Sequence, residues 1–163
     1  MESVGKMTSE TIKKYTRKIA DANPTEIIVI VFEIAEIYLD DAVFAYKNND
    51  IDGFTENINK TKKCIDDLIS ALDLQYDISK YLLNIYMFVN KELSMSVVKK
   101  DILSVTRIQA MITKLKVAFE ELSKQDTSGA VMGNAQEVYA GLTYGKGVLN
   151  ESTNIQSNRG FTV

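Results

Sequence analysis

Histidine is absent from the chain. With it go the commonest general base, the commonest metal ligand and every His-dependent triad. Little else could do chemistry. Asp40-Asp41 and Asp66-Asp67 are adjacent carboxylate pairs, but helix neighbours point about 100° apart and cannot jointly grip one metal ion. They read as solvated helix surface. Cys64 is the single cysteine, so no intramolecular disulfide can form. It sits beside Ile65 on an apolar seam without a histidine partner, which favours a packed thiol over a nucleophile. The segment Gly141-Leu142-Thr143-Tyr144-Gly145-Lys146-Gly147 has the flavour of a phosphate loop. It lacks the Gly-Lys-Ser/Thr ending, and no strand precedes it. A ferritin-like metal bundle needs Glu-x-x-His pairs, which cannot exist here. The expectation is a protein with no catalytic residues, no metal and no cofactor.

Charge and hydropathy narrow the class further. The net charge is −3 over 163 residues, with 45% hydrophobic and 25% charged, values of an ordinary globular domain rather than a disordered chain. An acidic balance argues against nucleic acid, which calls for a basic patch. The one basic cluster, Lys13, Lys14, Arg17 and Lys18, reads as a solvated face. No signal peptide is visible. The longest apolar run, Ile27 to Phe32, is bracketed by Glu26 and Glu33 and falls short of the roughly 20 residues a bilayer span needs. A cytoplasmic protein without a membrane span is expected.

The elements that would position any site follow from the breakers. Pro24 is the only proline, and Gly53 is the lone glycine between Pro24 and Ser128. So long a stretch at helical periodicity predicts a few long helices with short turns. The first should start at Asn23-Pro24-Thr25-Glu26, with Asn23 as cap, Pro24 at the first helical position and Glu26 placed for a capping box, and run to about Lys47. Ile27, Val31, Ile34, Tyr38, Ala42 and Ala45 form its apolar stripe. The second runs from about Ile51 to Leu72 on the seam Ile51, Phe54, Ile58, Thr61, Ile65, Leu68 and Leu72. The third runs from about Ile78 to Val97, with Leu82, Ile85, Val89 and Leu93 in one stripe and Tyr81, Phe88 and Met95 in a second. The fourth follows Lys99-Lys100-Asp101 and carries Val105, Ile108, Ile112, Leu115, Phe119 and Leu122 to about Lys124.

The predicted fold is all-α: an antiparallel up-down four-helix bundle over residues 24–125. An N-terminal segment, 1–23, carries a short amphipathic piece (Ile12, Tyr15, Ile19). From Asp126 to 163, Gly, Ser, Thr and Asn dominate and periodicity stops, which predicts a flexible tail. Tyr139, Tyr144 and Phe161 within it are unusual for a linker and could anchor a short recognition segment.

The positive signal is surplus apolar surface. Beside its first stripe, the first long helix carries a second through Ile28, Phe32, Ala35, Leu39, Val43 and Tyr46, and the third is two-sided through Tyr81 and Phe88. Either these are the two most buried helices, with or without a homodimer contact, or grooves between helices accept an amphipathic helix from a client. Phe32, Tyr81 and Phe88 are the partner-binding candidates on the second reading.

The order of several motifs resembles a known family. Tyr15, Ile19, Ala22-Asn23-Pro24, Ile27-Ile28, Ile30-Val31-Phe32-Glu33 and Ala35 look like the opening of the flagellin-specific export chaperone FliS. Asn57, Ile58, Lys60 and Thr61, followed by Ile65, Leu68 and Leu72, resemble its second helix. Leu82-Leu83, Ile85-Tyr86, Phe88-Val89 and Leu93 resemble its third. The resemblance spans about Tyr15 to Leu122. Ile34 stands where that family prefers glycine, Asp21 where threonine is common, and Phe119 where tryptophan is frequent. The turn Tyr76-Asp77-Ile78 is shorter than the family's. The resemblance implies a cytoplasmic helical bundle that binds the C-terminal helical region of flagellin, prevents its premature polymerisation and delivers it for export. It also implies a partner-side role for Tyr15 and Ile19, as a movable cover or as direct contacts.

Overall fold

The start of the longest element shows how local chemistry sets this fold. Asn23 accepts from the Glu26 amide at 2.8 Å, and the Glu26 carboxylate accepts from the Asn23 amide at 2.9 Å. With Pro24 at the first position this is the reciprocal box the sequence predicts. In the computed structural model, which describes residues 6–132, five helices follow in order: α1 Ser9–Asp21, α2 Pro24–Lys47, α3 Ile51–Ser70, α4 Asp77–Lys99 and α5 Ile102–Gln125. No strand occurs among the described residues.

Side chains close most of the other starts. Thr8 accepts from the Thr11 amide, and Asp50 from the Gly53 amide at 2.9 Å. Asp101 takes the Leu103 and Ser104 amides and the Ser104 hydroxyl. A β-carbon at Gly53 would collide with the capping carboxylate of Asp50, so this glycine serves the cap rather than breaking the helix. Asn49 and Lys100 take left-handed backbone, with φ of 59° and 51°. Those two residues turn the chain between α2 and α3 and between α4 and α5. Asn tolerates that region better than most residues, whereas Lys100 is strained there.

Helices α2, α3, α4 and α5 form a closed ring of contacts, α2 touching α3 and α5, and α4 touching α3 and α5; α1 lies on α2. The ring encloses one core: Phe32, Leu39 and Ala42 from α2, Phe54, Ile58 and Ile65 from α3, Tyr86, Val89 and Leu93 from α4, and Val105, Ile108 and Ile112 from α5. Phe32 stacks at tilted angles between Tyr86 and Phe119, with ring centroids 6.3 and 5.7 Å away. Thr61, the weak member of the α3 seam, is fully buried, and its hydroxyl donates to the Asn57 carbonyl at 3.0 Å. The hydroxyl is thereby satisfied without a partner from another helix. Cys64 is buried on the same helix; burial first, then the charge of Asp67, pushes its thiol up to about 11.

Two stripe assignments change. The face of α2 turned to the core runs through Phe32, Ala35 and Leu39; of the stripe Ile27, Val31, Ile34, Tyr38, Ala42 and Ala45, the two alanines join that core and Val31 packs against it, whereas Ile27 and Ile34 do not. The two stripes have the same spacing, so periodicity could not choose between them; Ile27, Ile30, Ile34 and Ile37 instead serve a second, smaller cluster with Tyr15, Ile19 and Ala22. On α5, the seam stops short. Phe119 packs on the core, but Leu122 stands 51% exposed.

Polar clasps hold the outside of α2. Glu36 accepts from Lys116 at 2.6 Å and from Thr113 at 2.7 Å, and Asp40 accepts from Gln109 at 2.9 Å. Asp41, by contrast, takes the Met7 amide at 3.2 Å. The adjacent carboxylates therefore point to different partners, as helical geometry requires.

Candidate functional site

Helix α4 presents two unlike sides. Toward the core it buries Ser79, Tyr86, Val89, Leu93 and Ser96. Away from it, Tyr81 is 68% exposed and Phe88 48%, with Ile78, Met87 and Met95 also outside. Tyr81, Phe88 and Met95 recur every seven residues and so share one helical face. Leaving such side chains in water forgoes about 1.5–3 kcal/mol each relative to burial. No packing among the described residues explains a row of them.

The turn before α4 extends the strip. Leu74, Tyr76 and Ile78 are all more than half exposed. Leu74 and Tyr76 lie in the turn and Ile78 in the first turn of α4; large apolar residues at alternate positions around a polar turn are the sequence signal for this end of the strip. Close by, a groove of about 210 Å³ opens among Ile28, Leu72, Leu82, Tyr86 and Phe119, where all four ring helices meet. Its lining is apolar except for Ser79 and Asp73. An apolar anchor from another chain matches that lining.

The remaining candidates are elsewhere. Tyr15 is buried against α2 and Ile19 is partly buried beside it. The Tyr15 phenol is pushed up to about 12, by burial first and then by the negative charge of Glu33. Lys18 reaches over the Tyr15 ring at 5.3 Å and pairs with Glu33 at 2.8 Å. Lys14 also reaches over that ring, at 5.8 Å, and with the exposed Lys13 and Arg17 it lines a depression on α1. Phe32 lies inside the core with no exposed surface. It packs against Tyr86 and Phe119 rather than facing a partner, because the stripe it belongs to is the one the ring encloses. The five sequence candidates thus fall into three places: Tyr15 and Ile19 in the α1–α2 seam, Tyr81 and Phe88 on the outer face of α4, and Phe32 in the core. Tyr139, Tyr144, Phe161 and the Gly141–Gly147 segment lie outside the described residues.

No group of three or more metal-capable side chains occurs among the described residues, and no described helix is long and apolar enough to cross a membrane. An all-helical body with a closed core and a row of large apolar side chains outside it is the build of a helical binding module. A family model described as Flagellar protein FliS matches residues 7–126, and the chain belongs to that family of flagellin-binding flagellar chaperones. No curated protein matches the chain significantly.

Proposed function

We propose that this chain is a cytoplasmic export chaperone that binds the C-terminal helical region of flagellin, holds it back from premature polymerisation and aids its export. The observation that carries the reading is the outward row of Tyr81 and Phe88 on α4. A client segment that is disordered when free and amphipathic when docked would fold onto that row, exchanging its ordering entropy for apolar burial. The ring of four helices, joined by short turns, is taken as an antiparallel up-down bundle. It gives the row a rigid base. In this scheme α1, through Tyr15 and Ile19, covers apolar surface of α2 until a client competes for it.

The test is a one-to-one complex with a flagellin C-terminal fragment, followed by size-exclusion chromatography and titration calorimetry. Tyr81→Ala and Phe88→Ala should each weaken binding by about 30-fold, the scale of an aromatic anchor. The thermal midpoint should stay put, since neither ring packs in the core. If the fragment fails to co-elute at micromolar concentration, the reading is lost. A homodimer that survives excess fragment and is broken by the same substitutions would instead establish self-association as the use of this face.

A further inference from the structure

The first turn of α2 is held from a distance. Its backbone donors are fully accounted for: Pro24 has none, the Glu26 amide goes to the Asn23 side chain, and the Ile27 amide goes to the Asn23 carbonyl. The remaining donor, the Thr25 amide, goes to the Asp126 carboxylate at 3.3 Å, and the Thr25 hydroxyl donates to the same oxygen at 2.6 Å. These partners are 101 residues apart in sequence. A carboxylate at a helix start also meets the positive end of the helix dipole.

Asp126 does not act alone. Its other carboxylate oxygen accepts from the Ser128 amide at 2.9 Å, which turns the chain back toward the joint. The Val131 amide then donates to the Ala22 carbonyl at 2.9 Å. Ala22 is buried beside Tyr15 and Ile30, so this bond ties the strap to the linker between α1 and α2. The family match ends at Asp126, which leaves the rest of the strap outside the shared core.

We propose that residues Asp126–Val131 form a latch that holds the α1–α2 joint and thereby decides whether α1 stays docked on α2. The contact between α1 and α2 is small, with Tyr15 the one buried residue of α1 itself, so the joint is the place where a few hydrogen bonds can control the whole helix. When the strap lets go, Ala22 and Asn23 lose an outside restraint. Helix α1 can then swing off Ile27, Ile30, Ile34 and Ile37, and that face of α2 becomes free. Movement of the strap and movement of α1 are coupled events. The latch does not depend on which client the protein carries.

Native-state hydrogen exchange on the full chain, without any client, tests this. Asp126→Ala and Thr25→Val should each speed exchange of the amides from Tyr15 to Ala22 by about tenfold, the scale of a charge-assisted hydrogen bond. The slowest amides of α3 and α4 should change by less than about twofold. The double variant should add little to Asp126→Ala, because the carboxylate that accepts from the Thr25 hydroxyl is already gone. Equal acceleration in α1 and in the core would overturn the latch, showing only general destabilisation. So would unchanged α1 exchange, or α1 amides already unprotected in the unaltered chain. Should Asp126→Ala fail to fold, Thr25→Val removes one hydroxyl and reads the same contact.

Discussion

Helix α2 has two apolar faces, and the molecule treats them differently. The face through Phe32, Ala35 and Leu39 is sealed, with all three residues fully buried among three other helices. The face through Ile27, Ile30, Ile34 and Ile37 packs, among the described residues, with Tyr15 and Ile19 of α1 and with Ala22 just after it. An ion pair between half-exposed Lys18 and the less exposed Glu33 adds to that cover, and a pair open to solvent contributes about 0–1 kcal/mol. Apolar residues at the same helical spacing thus make a permanent core on one side and a removable cover on the other. What differs is the number of elements that close over each face. A face shared by several helices opens only with the whole domain; one shared by a single short helix opens locally.

The largest effect should come from the sealed side. Phe32→Ala leaves a cavity between Tyr86 and Phe119 and should cost about 3–5 kcal/mol, read as a shift in the urea midpoint. A cost below about 1 kcal/mol would mean that this face is not a closed core. The covered side should respond less: Tyr15→Ala should lower global stability by about 1–2 kcal/mol while α1 amides lose their protection. If the whole bundle melted with it, the two faces would be one cooperative unit. The smallest effect concerns acid. Hydrogen bonds from Thr25, then from Ser128, hold the Asp126 carboxyl down to about 2 from its ordinary 3.8. A carboxyl depressed in the folded state contributes stability above its unfolded value and loses it as pH falls through the folded one. The strap should therefore hold at pH 4 and above and weaken toward pH 2. A carboxyl titration followed by NMR should show the low midpoint, returning toward 3.8 in Thr25→Val. An ordinary midpoint in the intact chain would remove the contact from the picture.

Much of this was legible from local chemistry. The Asn23 box, the Pro24 start and the α3 seam depend on residues a few positions apart, and the structure has them where the sequence puts them. The phase of α2 was not legible, because two stripes of equal spacing carry no information about which one three other helices will cover. The exposure of Tyr81 and Phe88 was hidden for the same reason: a row of large apolar residues every seven positions reads alike whether it faces a core or water. Leu74 and Tyr76 carry no periodic signal, because the polar turn residues around them interrupt the pattern. Asp126 was out of reach. Its surroundings in sequence are polar and aperiodic, and its partner Thr25 is at the other end of the chain, so only the folded arrangement brings the two together.

Cys64 gives the packing of α3 a built-in clock. As the single thiol of the chain, buried on α3 and pushed up to about 11, it is almost entirely protonated at neutral pH and screened from reagents. Since only the exposed thiolate reacts appreciably, its rate of alkylation reports how often α3 opens beside Tyr38 of α2. Each such opening leaves a covalent mark.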